Sequence, residues 1–411
     1  MIAAIARKEI AANVLSYKFF IVILLASLLI ATSLFVMARD FKGRQADYQL
    51  IRPKPGEPIA VLPPNPLSVF AKGLDDAMAR SFEISVIGVD VRAGRTSGNA
   101  VFAFFPTPDF LYIVRVVMSL VALLFGFDQI SREKEAGTLK LMLANPVSRA
   151  AVLAGKWLGN VLSLAVPFLL LTLLGIAVMS FDPGLRLSAG GLGRLALILA
   201  VSLAYIALFL SLGMLISAVS RRSAASLVAL LFIWSLAVFV LPNLGTLLAR
   251  QVVEVPSVRA LTEKKRQIWT REVLLRYSDE TDIWERRIKG MNDEFDRLEE
   301  DYRLKFDRLV RLSKAVNRVS PAASLVYATS EIAGTGIGEE SRLKTEVVRY
   351  KNRILEDFRT GRTDHPAFAY RYRSVGEVLA AGGLFDAAWL LVFNIVLLAA
   401  AYAALARCDV R

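Results

Sequence analysis

Four alternating charges stand together at Arg132, Glu133, Lys134 and Glu135, with Gly137, Thr138 and Leu139 just after them. On one turn of helix such side chains can make charge-assisted hydrogen bonds to a facing surface. They include no nucleophile beside a base, so their chemistry is recognition rather than bond-making. Ser131 is placed to cap a short helix carrying the charges, and Gly137 to break it. The run Thr138-Leu139-Lys140-Leu141-Met142-Leu143 then offers an apolar stripe, which Asn145-Pro146 ends. Ser148 can cap the helix beyond. The segment reads as a short charged helix–turn–helix, with a plain solvated connection as the alternative.

Elsewhere the sequence offers little chemistry. One Cys and one His exclude an internal disulfide and a Cys/His zinc cluster. The nearest imitation of a Walker A loop is Gly155-Lys156, but Trp157 stands where Ser or Thr is needed and Ala150 where the leading Gly belongs. The chain therefore carries no ATP site of its own. Gly334, Gly336 and Gly338 lack the strand–helix setting of a dinucleotide loop and read as a turn. His365, beside Pro366 in a polar stretch, reads as a solvated loop residue. With no catalytic constellation, the chain is expected not to be an enzyme and to bind no cofactor or metal.

Long apolar elements must position the charged segment. Hydrophobic residues make up 55% of the 411-residue chain and mean hydropathy is +0.48, above the ~45–50% apolar usage of soluble domains. They concentrate in runs of about 18–25 residues, roughly the length that crosses a bilayer. A soluble protein is excluded by this. Gly (25) and Pro (15) are not in excess, which excludes a collagen-like or disordered chain.

The expected fold class is an all-α membrane protein with six transmembrane helices. Residues 1–18 read as an amphipathic interfacial helix, with Ile2, Ile5, Ile10 and Val14 near one face and Arg7, Lys8 and Glu9 away from it. Residues 19–37 form a first span, longer than a signal peptide's apolar core of ~7–15 residues and so a retained anchor. Residues 38–109 make a small mixed lobe, in which Phe82, Ile84, Val86, Val89 and Val91 suggest a strand or two. A second span covers 110–127, the charged loop 128–156, and further spans 157–181, 195–219 and 224–241. Residues 243–383 form a large extracytoplasmic helical hairpin domain, and 384–405 the sixth span.

Within the hairpin domain a heptad seam carries Trp284, Met291, Leu298 and Leu312, interleaved with Ile288, Phe295, Tyr302, Leu309 and Val316. Such a helix is about 50 Å long at ~1.5 Å per residue. Leu343, Val347, Tyr350, Ile354 and Phe358 continue the spacing on a later helix, which can supply the mate. Turns are expected at Ser320-Pro321 and at the glycines 334–338.

Lysine and arginine counts in the short loops orient the chain. Twelve lie on one side: Arg7, Lys8, Lys18, Arg132, Lys134, Lys140, Arg149, Lys156, Arg221, Arg222, Arg407 and Arg411, against Arg186 and Arg194 on the other. Both termini, and with them Cys408, are then cytoplasmic, and the basic excess is topological signal rather than a nucleic-acid site. Arg115, Asp128 and Asp386 all fall near span ends, whereas an ion-coupled carrier needs deeper carboxylates.

The stretch from Ile130 to Trp157 resembles the signature between the second and third spans of ABC-2 type exporter permeases. Glu133, Glu135, Gly137, Thr138, Leu139, Pro146, Ser148, Arg149, Gly155 and Lys156 carry the likeness, and Ala6-Arg7-Lys8-Glu9 before the first span is similar too. The long insertion looks more like a subgroup with large periplasmic helical insertions, including permeases linked to copper-enzyme maturation or gliding.

The resemblance implies a permease subunit of an ATP-driven exporter or mechanotransmission complex in the bacterial inner membrane. A separate ABC ATPase would bind ATP and Mg. The loop around Arg132, Glu133, Glu135, Gly137, Thr138 and Leu139 would be its coupling helix, with the three charged residues pairing with charges on the ATPase. Gly137 would allow a tight turn and Thr138 would cap the stretch beyond it. Residues 2–18, including Arg7, Lys8 and Glu9, would be a connecting helix that also touches the ATPase. A second permease copy, the same or different, membrane lipids and a periplasmic protein on the hairpin complete the expected partners; nucleic acid is not among them. The rival readings are a non-transporting scaffold or sensor whose coiled-coil hairpin binds a partner, and an ion-driven carrier.

Overall fold

The computed structural model describes the backbone of residues 1–411 except 79–80, 86–87, 93–107, 140–141, 143–146, 275–280, 363–364 and 408–411. Side chains are described there except at 85, 88, 90–92, 258, 273–274, 281–289 and 358–359. Cys408, the strand position Val86, and the side chains of Val91, Trp284, Ile288 and Phe358 therefore lie outside the described residues.

The protein is helical almost throughout. A short helix α1 (Ile2–Val14) turns at Ser16, whose hydroxyl accepts from the Phe19 amide and caps α2 (Tyr17–Ile51). The spans continue with α3 (Phe110–Glu135), α4 (Arg149–Met179), α5 (Ala189–Val219) and α6 (Ser223–Val252). Four helices come next, α7 (Val258–Leu274), α8 (Thr281–Asn317), α9 (Pro321–Ala333) and α10 (Ile337–Arg359). A short α11 (Val375–Ala380) leads into the last span, α12 (Phe385–Ala406). All six spans are long and apolar enough to cross a bilayer.

α5 is the central helix. Its Leu195, Ile198, Tyr205, Phe209 and Met214 are buried, and it packs against α3, α4, α9 and α12. α3 and α5 cross where Gly126 meets Gly213. A Cβ on either glycine would come within 3.0 Å of the other's Cα, so the crossing exists only because neither residue has one.

The first span runs past its expected end at Met37. α2 stays helical for 35 residues because its extension has its own supports. Phe41 is buried against the lobe, and Arg44 reaches Asp40, Asp75 and the Ser68 hydroxyl. The apolar run marks where a membrane span ends, not where a helix does. α6 likewise continues to Val252 through a π turn, Leu236–Val240, which frees the Ala237 carbonyl to accept from Ser320 at 2.7 Å.

The two insertions are one packed unit. Strands β1 (Ile59–Val61), β2 (Ser81–Ser85) and β3 (Gly88–Arg92) form an antiparallel sheet in that order, with Ala60 opposite Phe82 and Phe82 opposite Val91. Leu343, Val347, Tyr350 and Ile354 of α10 pack on Ala60, Leu62, Phe82 and Ile84. The stripe expected to mate the heptad seam is thus covered by the sheet instead. Helical periodicity says that a stripe is covered but not by what.

On α8, Met291 and Phe295 are buried against Ile268 of α7, with Leu298 beside them. Tyr302, Leu309 and Leu312 are half-buried. Farther along, Thr246 and Gly245 of α6 meet Ser313 and Asn317. The buried apolar part of the seam therefore finds its mate earlier in the chain, while polar contacts such as Lys351 Nζ to Asp296 Oδ1 at 3.1 Å hold α10 against α8. Ser320-Pro321 does not close a hairpin but opens α9, whose Leu325, Ala328 and Ile332 join the core of the spans.

His365, expected in solvent, is 2% exposed. Its carbonyl accepts from Gly56, and the neighbouring Pro366 carbonyl from the Tyr350 hydroxyl, because this strap lies over the sheet and α10.

Candidate functional site

The charged segment and the N-terminal helix meet at one end of the bundle. α1 lies along the start of α4, and two glycines of α4 set how close it comes. A Cβ at Gly155 would stand 2.7 Å from the Ile5 Cβ, and one at Gly159 would stand 2.7 Å from the Glu9 Cβ and 2.8 Å from the Ala6 carbonyl. One turn of α4 therefore presents backbone to α1 and, between the glycines, the side chain of Lys156.

Lys156 is 3% exposed. Its Nζ donates to Glu9 Oε1 at 3.0 Å and to Glu133 Oε1 at 2.8 Å. A buried ammonium is tolerable only when it is paired and hydrogen-bonded. Here the two carboxylates come from two different elements, α1 and the charged segment. Around this bridge runs a polar cluster inside the bundle. Asn13 donates to Asn160 Oδ1 (2.9 Å) and to Ser163 Oγ (3.1 Å), and Gln129 Nε2 reaches Asn160 at 3.2 Å.

The neighbouring charges fasten other helix ends. Lys134 donates to the Ala218 and Ser220 carbonyls, occupying acceptors left open where α5 ends. Glu135 accepts from the Ser223 amide and hydroxyl, both at 2.9 Å, and so caps the start of α6. Arg149 donates to the Leu405 and Ala406 carbonyls at the end of α12, and Ser148 caps α4 by accepting from the Ala151 amide. The ends of α1, α4, α5, α6 and α12 thus converge on one short segment.

Of the residues singled out from the sequence, Glu133 and Glu135 find partners within the chain, while Arg132, Arg7 and Lys8 are exposed and Glu9 is buried. Gly137 has φ +70° with open space around it, a left-handed turn that favours glycine. The Thr138 hydroxyl lies 3.4 Å from the Glu133 carbonyl. Leu139 is buried with Ile130, Leu153, Met214 and Leu405, anchoring the segment after its turn. The bridging role of Lys156 and the polar cluster behind it escape a reading of the sequence. One local signal existed: a lysine opening an apolar run with Asn160 four residues on, one helical turn deeper.

Among known proteins, the sequence profile described as ABC-2 family transporter protein matches residues 3–410. The chain is also similar to two proteins named probable ABC transporter permease protein NosY. The one from Stutzerimonas stutzeri is 32% identical over 96 residues, 23% of this chain and 35% of that protein. The one from Pseudomonas aeruginosa is 30% identical over 158 residues, 36% of this chain and 56% of that protein. The chain thus matches about a third and about half of these relatives' own lengths.

Proposed function

This chain belongs to the ABC-2 family of transporter proteins and is a multi-pass membrane permease, and from that premise we propose that its charged segment and α1 together dock a separate ATPase subunit. The supporting observation is the buried Glu9–Lys156–Glu133 bridge. It joins the two candidate docking elements, so that a push on either moves the head of α4 with it. The ties to α5, α6 and α12 spread that displacement to the remaining spans.

In this reading ATP and Mg bind on the partner, and this chain is not itself an enzyme. The loop end and both termini face the cytoplasm of a bacterial cell, and the packed insertion stands on the far side of its inner membrane. Two permease copies and two ATPase subunits make the working unit. The insertion carries the motion outward, to a periplasmic partner or along a substrate path.

Purification from native membranes in mild detergent tests this. An ATP-hydrolysing subunit retained in equal amount supports the reading; its absence leaves a non-transporting scaffold. Gly137→Val forces a β-branched residue into a left-handed turn at a cost of ~1–2 kcal/mol. It is expected to uncouple ATP hydrolysis from the permease while membrane insertion is kept, and unchanged coupled activity would remove the segment from the docking role.

A further inference from the structure

Each described carboxylate at the loop end of the bundle is engaged inside the chain. Glu9 and Glu133 hold Lys156, Glu135 uses both oxygens on Ser223, and Asp128 Oδ2 lies 3.5 Å from Lys18 Nζ. The cations divide differently. Lys134, Arg149 and Lys156 fasten helices, whereas Arg7, Lys8, Arg132, Arg221, Arg222 and Arg407 are exposed. Among the described residues no ion pair engages those six. The face left to solvent is therefore basic, although the charged segment itself alternates in sign.

We propose that this face, Arg132 included, recognises an acidic surface of the ATP-hydrolysing subunit, and that Glu133 and Glu135 take no part in the contact. The proposal rests on the docking reading above and names the chemistry of the partner. Three observations carry it.

Arg132 sits on the short turn beside Ala136, Gly137 and Thr138, all exposed, with open space around Gly137. A guanidinium there can meet a carboxylate with two parallel hydrogen bonds. Glu135, the one exposed carboxylate described near it, is already engaged inside the chain, one oxygen on the Ser223 amide and the other on the Ser223 hydroxyl. Finally, among the described residues of the turn, from Arg132 to Thr138, no side chain is large and apolar. A basic element that binds a bilayer pairs its charges with Trp, Phe or Leu to enter the headgroup layer, so a protein surface suits this tip better than lipid.

Exposed charges of one sign act mainly on association rate and are screened by salt. The test uses the full chain in detergent with the ATPase that co-purifies, identified by photolabelling with an azido-ATP. From about 0.05 to 0.5 M salt, retention of the labelled subunit is expected to fall steeply. Arg132→Glu is expected to slow association roughly tenfold at low salt, Arg132→Lys to restore most of it, and Glu135→Gln to keep the salt dependence of the native chain. Arg221→Glu with Arg222→Glu provides an independent variant on a different loop. Melting temperature checks that each variant is folded.

A labelled ATPase that stays bound regardless of salt and of Arg132→Glu overturns the proposal while leaving the docking reading in place. No labelled subunit at any salt removes both. Variants that keep the ATPase but lose adhesion to phosphatidylglycerol vesicles, relative to phosphatidylcholine vesicles, assign the basic face to lipid and also overturn the proposal.

Discussion

Two ion pairs of nearly equal length mark the two ends of this molecule. At the loop end, Lys156 lies 2.8 Å from Glu133, with side chains 4% and 19% exposed. On α8 in the insertion, Arg303 lies 2.7 Å from Glu300, with side chains 57% and 50% exposed. The first joins residues 23 apart in sequence and shares its cation with an acid 147 residues away. The second is one turn of a single helix. Distance alone ranks them equal, but burial separates them. Water screens the α8 pair and would solvate either charge left alone, whereas a charge stranded beside Lys156 has no such substitute.

The largest effect should therefore come from breaking the buried bridge. Lys156→Met leaves Glu9 and Glu133 facing each other without a counter-ion, and removing one partner of a buried pair costs about 3–5 kcal/mol. The expected outcome is a lowered unfolding midpoint in detergent, with α1 released to protease. Adding Glu9→Gln and Glu133→Gln should recover a good part of the loss, because it removes the stranded charges. If Lys156→Met alone melts like the native chain, the bridge is not the fastening described here.

The next effect tests which helix mates the heptad seam. Phe295→Ala, at a side chain 3% exposed, should cost about 3–5 kcal/mol in the insertion, and Leu343→Ala, 1% exposed, about 2–5 kcal/mol. In a double-mutant cycle Phe295 and Ile268 should couple, being in one cluster, while Phe295 and Leu343 should add independently. Strong coupling of the second pair would restore α10 as the mate of the seam.

These contrasts mark what the sequence could disclose. Apolar runs located all six spans, since a bilayer imposes its own length on a helix. They did not disclose the helical extension of α2, whose Arg44 is held by Asp75 from another segment. Nor did they reveal α9, since thirteen residues rich in Ala and Ser resemble neither a span nor a seam until α5 and α12 enclose them. The charged segment was legible as a cluster, because its residues are adjacent. Its pairing was not, because the partners of Glu133, Lys134 and Arg149 lie on other helices. Local spacing reports which groups need partners, and the tertiary fold chooses them.

Acid should act on the insertion through Glu339, which is 1% exposed and accepts from Arg342 (2.7 Å), Tyr370 (2.8 Å) and Arg373 (2.7 Å). Burial opposes its ionisation, but these donors outweigh burial and hold its carboxyl below the usual glutamate range. Because the folded value lies below the unfolded one, the stabilisation is complete above about pH 4.3, the ordinary glutamate value, and is lost as pH falls through the folded value. Melting of the insertion should fall over that acid range. Glu339→Gln should start lower and flatten the dependence, and an equally steep fall in Glu339→Gln would assign the acid response to other carboxylates.

The smallest effect should come from Arg303→Gln. Glu300 lies three residues before Arg303 on the same exposed helical face, so the pair gains little in high dielectric and must hold two flexible side chains in one geometry. Removing the cation should shift stability by no more than about 0.5 kcal/mol, and salt near 1 M should erase even that. The size of this shift matters because Arg303 and Glu300 have a closer contact than Lys156 and Glu133. A loss as large as that of Lys156→Met would mean that contact distance sets the strength of ion pairs in this chain. A loss several-fold smaller means that burial does, and that the bridge beneath α1 is strong because it is dry.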